Sequence, residues 1–301
     1  MINSSTFAAF IMTYQRNATL ESTIHTLLDQ TFPPHKILII DNDPEKVAKL
    51  IADKMTHLPV DYYAVGYNSG PAGAAKKGLD ILSKEGYDWI GWIDDDDPPL
   101  FKDSFEILLK RAGEVQRCGC VGAVGQRFDL SKAMMIRLPD EELNTEGIVY
   151  VDNVAGGMCK IVNADVVRKE NVFPDEKLFY GFEELDFDLR LKNAGYTLIA
   201  DAQLYKRNRI HHNRIGYKVI RGQKKPTERL WREYYSTRNL LIIIKKQKSY
   251  LTLFSFVIKS LTKSIIGFRY GFKYGIKNFQ FINKAIFHFF IGTTGKLHSG
   301  S

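Results

Sequence analysis

Four consecutive aspartates, Asp94–Asp97, are the residues of this chain best suited to chemistry. They directly follow the apolar stretch 87–93, which is typical of a buried strand, and Pro98 and Pro99 end that strand. Adjacent carboxylates repel one another, so a hard cation such as Mg²⁺ or Mn²⁺ would offset their charge and bridge them to the phosphates of a substrate. The alternative is a solvated acidic turn, because runs of like charge usually face water.

A second acidic pair, Glu183 and Glu184, begins a predicted helix that Gly195 would end as a C-terminal cap. Acidic residues in the first turn interact favourably with the helix dipole, which gives the pair a structural explanation. The same carboxylates could take a proton from a substrate instead. The segment by itself leaves both readings open.

His211 and His212 stand in tandem after a predicted strand, Thr197–Ala200 continued by Ala202–Tyr205. A single histidine is more often structural than a ligand. Two in tandem at the end of a strand are candidate metal ligands, because neutral imidazole is a common one.

Strand-like and helix-like segments alternate through the first hundred residues and should position these groups. The predicted strands are Thr6–Met12, Lys36–Ile40, Val60–Val65 and the run that ends at Ile93. Alternation with short links predicts an α/β fold, a mostly parallel sheet flanked by helices. Ligands of such sheets bind beyond the carboxyl ends of the strands.

Four polar segments come just after predicted strands: Thr13, Asp41, Asn68 and the acidic run. We therefore expect them to converge on one crevice. A dinucleotide-binding Gly-x-Gly-x-x-Gly after the first strand, a phosphate-binding P-loop and a Gly-x-Ser-x-Gly elbow are all absent from the sequence.

The net charge of +8 is unevenly distributed along the 301 residues. Residues 204–301 hold 21 lysines and arginines but only two acidic residues, whereas residues 1–203 hold 21 basic and 32 acidic ones. A basic tail on an acidic body predicts an anionic, extended partner. An anionic membrane surface fits better than nucleic acid, because the tail is rich in apolar residues and carries no recognised nucleic-acid-binding motif.

The tail predicts a helix over Arg229–Lys248 and then, over residues 250–291, a basic amphipathic helix pair lying in a membrane interface. Its longest uncharged run, Ser249–Ile258, is too short to span a bilayer. The alternatives are a helix docked on the body with a solvated basic face, or a homo-oligomer contact. No basic segment precedes the first apolar run, and three cysteines suit a reducing cytosol, so we expect a cytoplasmic protein on the inner face of the cell membrane.

Taken in order, these segments resemble the family-2 glycosyltransferases of the GT-A fold over about the first 215 residues. The resemblance rests on motifs in the family's order and spacing: Thr13-Tyr14-Gln15-Arg16, Ile39-Ile40-Asp41-Asn42, Asn68-x-Gly70-x-Ala72-Gly73, Asp94-Asp95-Asp96, Glu183-Glu184-Leu185-Asp186 with Arg190 and Gly195-Tyr196, and His211-His212. The glycine-rich loop and Trp231-Arg232-x-Tyr234-Tyr235-x-x-Arg238-Asn239 look most like bacterial rhamnosyl- and galactofuranosyltransferases of surface polysaccharide synthesis.

The resemblance implies a role for each candidate residue. Asp94 and Asp96 would hold Mn²⁺ or Mg²⁺, with His211 or His212 as a further ligand. Glu184 would be the catalytic base, where the family more often has Asp, and Glu183 is its neighbouring candidate. The other matched residues would bind the donor, with Asp41 on the base and Asp95 either on the ribose or orienting its neighbours: Thr13, Arg16, Asp41, Asn68, Gly70, Asp94 and Asp95.

The sequence therefore predicts a GT-A domain over residues 1–225 and an amphipathic helical region over residues 226–301. The predicted function is metal-dependent, inverting transfer from a UDP- or dTDP-sugar to a lipid-linked glycan of capsule or lipopolysaccharide synthesis. The alternative from another class is a non-catalytic GT-A-like scaffold recruited to membranes by its tail.

Overall fold

The computed structural model describes residues 6–156, 159–217 and 224–297, and these residues fall into two compact units. The first unit holds the residues up to Arg127, then Arg137–Glu176 and Glu184–Gly216; the second holds Phe128–Ile136, Lys177–Glu183 and the residues from Tyr217 onward. The second unit thus includes two segments from the predicted first domain. The junction at 225/226 stays a prediction.

A large sheet forms the centre of the first unit. The strands of the described chain are β1 (Phe7–Thr13), β2 (Ile37–Asp41), β3 (Val60–Ala64), β4 (Trp89–Asp94), β5 (Cys118–Gly122), β6 (Gly125–Asp129), β7 (Met134–Arg137), β8 (Ile148–Tyr150), β9 (Asn153–Val154), β10 (Lys160–Asn163) and β11 (Thr197–Asp201). Eight of them form one sheet in the order β3-β2-β1-β4-β10-β5-β11-β8, and β7-β6-β9 form a smaller one. In the large sheet β10 and β8 run antiparallel to their neighbours and the other pairings are parallel, which confirms the predicted mostly parallel sheet.

Helices cover both faces of this sheet. They are α1 (Asn17–Leu28), α2 (Lys49–Lys54), α3 (Gly70–Lys84), α4 (Ser104–Gly113), α5 (Asp165–Arg168), α6 (Glu183–Asn193) and α7 (Ala202–His211). Successive residues of a strand point to opposite faces, so the fully buried β1 contributes Phe7 to one hydrophobic core and Phe10 to the other. The core containing Phe10 includes residues of α3 and α6, and the core containing Phe7 includes residues of α1, α2 and α4.

The strand register aligns the chain segments expected to carry the site. Thr13 at the end of β1 pairs with Asp41 at the end of β2, and Met12 pairs with Asp94 at the end of β4. Because these strands are parallel, the polar residues that follow them emerge at one edge of the sheet.

The predicted strand Ala202–Tyr205 is wrong, because the chain is helical there. The Asp201 carboxylate accepts a hydrogen bond of 2.7 Å from the Leu204 N–H and caps the N-terminus of α7. His211 is consequently the last residue of a helix, and His212 follows it.

Three helices make up most of the second unit: α8 (Trp231–Lys246), α9 (Tyr250–Ile266) and α10 (Phe272–Phe290). α8 and α10 share a small core that includes Leu241, Ile282 and Ile286. Buried Glu233 forms ion pairs of 2.5 Å with both Lys225 and Lys263. The C-terminal helices predicted from the sequence are confirmed.

By length and composition alone, one helix among the described residues is able to cross a membrane. It spans Tyr250–Tyr270, has a mean hydropathy of 1.4 and has 22% of its most apolar window buried. The uncharged run Ser249–Ile258 suggested no such span, but the helix continues past Lys259 and Lys263 with further apolar residues.

Candidate active site

The end of β1 and the acidic run meet at one edge of the sheet, as expected. Buried Asp95 accepts hydrogen bonds from the Thr13 hydroxyl (2.7 Å) and from the Arg16 guanidinium (3.2 Å). The same guanidinium forms an ion pair with exposed Asp96. Burial raises the pKa of Asp95, and the bonds from Thr13 and Arg16 oppose that shift by favouring the carboxylate.

The carboxylate of Asp41 is held within the protein, and its predicted contact with a nucleobase stays a prediction. The residue is fully buried, and its oxygens accept hydrogen bonds from the Asp43 N–H (2.8 Å), the Ala48 N–H (3.2 Å) and the Tyr62 hydroxyl (2.9 Å). Burial raises the pKa of Tyr62, so its hydroxyl stays protonated and donates. Asp41 therefore organises the loop after β2 from within the protein.

Asp43, two residues further along the chain, has one carboxylate oxygen that accepts no hydrogen bond from the described residues. Its Oδ1 accepts from the Glu45 N–H (3.2 Å) and the Gln15 amide (3.4 Å), whereas its buried Oδ2 has no hydrogen-bond partner among the described residues. A buried, unsatisfied carboxylate oxygen is costly, which indicates that a donor belongs there. Asp43 was not predicted as a site residue, because the motif that resembles the family, Ile39-Ile40-Asp41-Asn42, ends one position before it.

Asn68 and Gly70 form the turn that leads into α3. The Asn68 Oδ1 accepts the Gly70 N–H (3.0 Å), and Gly70 has a φ of 69°, a left-handed conformation that glycine adopts without strain. Asn42 joins this turn to the end of β2, since its amide donates to the Gly70 carbonyl (3.1 Å) and accepts from the Ser69 hydroxyl (2.6 Å). The turn and the two strand ends thus form one connected edge.

The remaining members of the acidic run have different environments. Asp94 ends β4 and is half-buried. Asp97 is affected differently, because its own burial and the negative charge of Asp96 raise its pKa to about 6. Asp97 and Asn208 of α7 line the same small pocket. The run is therefore not a freely solvated turn.

The two histidines differ in exposure and contacts. His211 is exposed and its ring packs edge-on against Phe101. The Nε2 of half-buried His212 is shielded from solvent and has no hydrogen-bond partner among the residues that the structure describes. Burial lowers the pKa of His212, and the neighbouring His211 and Arg214 lower it further, so its imidazole is neutral at pH 7.

The predicted metal ligands are not assembled into a closed site. Within residues 6–156, 159–217 and 224–297, no group of three or more His, Cys, Asp or Glu side chains is arranged to hold a metal ion. The Asp96 carboxylate forms an ion pair with the Arg16 guanidinium. The His211 imidazole packs against the ring of Phe101. An ion bound here would need further ligands from a substrate.

Glu184 lies where a backbone donor orients its carboxylate. Its Oε1 accepts the Gly156 N–H at 2.8 Å. A Cβ atom built on Gly156 would lie 2.2 Å from that Oε1 and 3.3 Å from the indole nitrogen of Trp92. The carboxylate of half-buried Glu184 thus sits beside Trp92, which lies on β4 two residues before the acidic run, whereas Glu183 is buried.

A buried ion pair next to Trp92 was not recognised from the sequence. Lys160 and Asp188 are both fully buried and form a 2.6 Å salt bridge, and the Lys160 ammonium lies 4.9 Å from the Trp92 ring and 5.2 Å from the Phe187 ring. Burial alone would lower the pKa of Lys160, but Asp188, Cys120 and Glu184 more than offset it and the pKa is raised. The raised pKa keeps the Lys160 ammonium protonated at neutral pH, and its charge attracts Glu184.

Asp188 is the centre of this network. It also accepts hydrogen bonds from the Asn153 amide (3.0 Å) and the Val154 N–H (2.7 Å). The sequence offered one signal, because Asp188 follows Glu184 by one helical turn and so lies on the same face of the predicted helix. Lys160 gave none, since its partner Asp188 lies 28 residues further along the chain.

Gly156→Ala should lower activity much more than stability. The new methyl group would collide with the Glu184 Oε1, the mobile end of a flexible side chain, so the carboxylate would move while the fold remains. Displacing a catalytic group by about 1 Å can cost on the order of 10²-fold in rate. Turnover and thermal unfolding of the purified variant check this, with Gly113→Ala as the control, because no atom lies within 4 Å of a Cβ at Gly113.

Comparison with known proteins assigns the family. Residues 8–163, just over half of the chain, match the sequence model of glycosyl transferase family 2. The chain belongs to glycosyltransferase family 2. The resemblance stated from the motifs is thereby confirmed.

The individual proteins that resemble this chain are only distantly related to it. The chain is 25% identical over 201 residues to the galactofuranosyltransferase GlfT1 of Mycobacterium tuberculosis, and the match covers 62% of this chain and 64% of that protein. Among solved structures, GalNAc-T7 with UDP, GalNAc and Mn²⁺ has a TM-score of 0.52 at 16% identity, covering 66% of this chain and 42% of that one. Residues 1–349 of S. aureus TarS in complex with UDP have a TM-score of 0.51 at 11% identity, covering 95% and 92%. These likenesses confirm the predicted GT-A fold.

Proposed function

We propose that this protein transfers a sugar from a UDP- or dTDP-sugar to an acceptor hydroxyl, with inversion at the anomeric carbon. The observation that carries the proposal is the Glu184 carboxylate, which the Gly156 N–H orients beside Trp92. On the same strand, two residues further, β4 delivers the acidic run to the edge where Thr13 and Arg16 bind Asp95. A carboxylate base next to an oxygen-rich crevice suits the attack of a hydroxyl on an activated sugar.

Asp43 is the better candidate for recognising the nucleobase. The imide N–H of uracil or thymine would supply the donor that its Oδ2 lacks among the described residues. Asp41 would act indirectly, since its carboxylate accepts the Asp43 N–H. UDP is bound by both structural neighbours, which supports a UDP-sugar over a dTDP-sugar as the first donor to test.

The residues at the end of β4 fit a divalent cation. The carboxylates of Asp94 and Asp96 and the neutral imidazole of His212 are the donor types that Mn²⁺ accepts, and Mg²⁺ fits the carboxylates. A closed protein cage is not needed, because Mg²⁺ commonly takes one or two carboxylates and fills its other positions with phosphate oxygens and water. When bound, such an ion stabilises the charge that builds on the departing nucleoside diphosphate.

Glu184 supplies the proton acceptor for the reaction. As the acceptor oxygen attacks the anomeric carbon, its proton passes to the Glu184 carboxylate and the bond to the diphosphate oxygen breaks. The nearby positive charge of Lys160 favours the ionised carboxylate that this step requires. Gly156 fixes the carboxylate by a backbone hydrogen bond, so little reorientation is needed.

Nucleotide-sugar turnover tests the proposal directly. Purified full-length protein should release UDP or dTDP from at least one sugar of a donor panel when Mn²⁺ or Mg²⁺ is present, and Gly156→Ala should release much less. If the protein binds nucleotide but turns over no donor in the panel, even with added glycan acceptors, the non-catalytic scaffold is the better description.

The outer surface of α9 supports placing the enzyme on a membrane with a lipid-linked acceptor. Its buried residues are small and polar, Thr252, Ser260 and Ser264. The exposed residues that recur every three or four positions are apolar instead, with exposed fractions of 40% to 88%: Leu251, Phe254, Ile258, Leu261 and Ile265. A soluble helix shows the opposite pattern.

Basic residues accompany this apolar stripe. Lys259 lies on the same helix, Lys263 is paired with Glu233, and no acidic residue follows Glu233 in the sequence. A helix with an apolar face and basic flanks suits the interface of an anionic leaflet, where each lysine contributes about 1 kcal/mol. We propose peripheral association with the inner face of the cell membrane through α9.

The double change Leu251→Glu and Phe254→Glu should release the protein from membranes. Both side chains are mostly exposed, so the fold should survive while two charges enter the apolar stripe. Flotation with anionic liposomes at low salt should fall at least tenfold, and transfer to a lipid acceptor should fall more than donor hydrolysis. Leu50→Glu, at a position 66% exposed on α2, is the matched control. Failure of the wild-type protein to bind such liposomes would contradict the proposal.

A further inference from the structure

Asn239 of α8 is hydrogen-bonded to the chain segment that leads into α6. The residue is fully buried, and its side-chain amide donates three hydrogen bonds to backbone carbonyls of this segment. The acceptors are the carbonyl oxygens of Leu178 (3.0 Å), Tyr180 (2.9 Å) and Gly181 (2.8 Å). An amide has two N–H groups, so both are fully used on one short stretch of backbone.

Arg238, the preceding residue, is also fully buried and reinforces the same contact. Its guanidinium donates to neutral oxygens, and its described contacts include no carboxylate: the carbonyls of Leu178 (2.9 Å), Lys177 (3.4 Å) and Gly295 (2.8 Å), the Tyr234 hydroxyl (3.0 Å) and the Asn239 Oδ1 (3.0 Å and 3.1 Å). A buried cation without an anionic partner is an expensive way to stabilise a fold. Its value lies in the number and planar geometry of its donors.

The segment that these side chains hold is conformationally strained. Phe179, Gly181 and Phe182 have φ values of 62°, 78° and 66°, all in the left-handed region. Two of the three are phenylalanines, for which this conformation is unfavourable. Strained turns of this kind persist only where the surrounding structure over-determines them. The Phe179 ring stacks on Tyr235 of α8 with 5.5 Å between ring centroids, which adds a further restraint.

We propose that Arg238 and Asn239 are positioning residues that hold the strained turn 179–182 in the conformation from which α6 starts at Glu183. Glu184 is the next residue of that helix, so its backbone continues directly from this turn. This inference rests on the proposed function in so far as Glu184 is the base. It gives Arg238 and Asn239 a physical role within the second unit.

Asn239→Asp is the sharpest test. The change is nearly isosteric and gives Arg238 a carboxylate partner, but it removes both donors to the turn and places a negative charge against three carbonyls. Its turnover number should fall on the order of 10²-fold, with the donor KM within about twofold of wild type, because only the base is displaced. Arg238→Lys keeps the charge and loses the planar donors, so an intermediate loss is expected.

Asn278→Asp is the matched control. Asn278 is a buried amide of the same unit, and its side chain donates to the carbonyls of Lys263 (3.1 Å) and Ser264 (3.3 Å), away from the turn. It should lose stability as Asn239→Asp does and keep near wild-type turnover per folded molecule. Equal loss of turnover in the two variants, or full turnover in Asn239→Asp, would overturn the proposal.

Hydrogen exchange separates this inference from the proposed function, because it needs no substrate. Amides of residues 178–184 should exchange faster in full-length Asn239→Asp and should be unchanged in Asn278→Asp. If exchange changes in this way while the wild type turns over no donor, the turn is held as described and the proposed activity is wrong. Unchanged exchange in Asn239→Asp would show that the two side chains do not hold the turn.

Discussion

Glu184→Gln should reduce the transfer rate by about 10²- to 10⁴-fold while donor affinity stays nearly unchanged. Glutamine has the size of glutamate and its Oε1 can still accept the Gly156 N–H, so the side chain should keep its place. It cannot take a proton, and the acceptor hydroxyl then attacks without a base. Single-turnover transfer and nucleotide binding, measured on the same preparation, check both halves of the expectation.

Glu183→Gln is the natural control, because Glu183 is the adjacent candidate on the helix. Glu183 is buried whereas Glu184 is half-buried, so the Glu183 variant should act mainly on stability. An inactive Glu183→Gln together with an active Glu184→Gln would mean that the assignment on α6 is off by one residue.

Asp96→Ala should abolish transfer and the metal-dependent part of nucleotide binding. The carboxylate is exposed and its partner Arg16 is also exposed, so the fold should lose little when the pair is removed. Activity should also disappear in EDTA and return with Mn²⁺ or Mg²⁺. Nucleotide titration calorimetry with and without metal measures the coupling.

Asp165→Ala serves as the reference for this variant, since Asp165 is a partly exposed carboxylate paired with Arg168 and Lys169. It should leave both transfer and metal-dependent binding intact. Full transfer by Asp96→Ala, or by the wild type in EDTA, would remove the cation from the proposed mechanism.

The order of the first four strands and of the helices between them was predictable because these strands are short runs rich in apolar, β-branched or aromatic residues next to helical repeats. Ile37–Asp41 and Trp89–Asp94 are examples in which the sequence pattern located the strand within a residue or two. The parallel arrangement then placed Thr13 and the acidic run at one edge without any knowledge of side-chain contacts.

Side-chain roles within that edge were less accessible. Whether Asp41 or Asp43 faces a ligand depends on which backbone N–H groups the loop turns toward Asp41, and residue types do not encode that choice. Lys160 of β10 and Asp188 of α6 lie 28 residues apart in the chain and meet beside the rings of Trp92 and Phe187. The helix that carries His211 was misassigned because one side-chain cap, Asp201, decides its start.

The exposed apolar residues of α9 have a practical consequence for work with the purified protein. Leu251, Phe254 and Ile265 present a contiguous apolar face to water when no lipid is present. Such faces drive self-association and non-specific adsorption in aqueous buffer. The protein should therefore need detergent or lipid to remain monodisperse above modest concentration, and light scattering in plain buffer should rise with concentration far more steeply than it does in detergent.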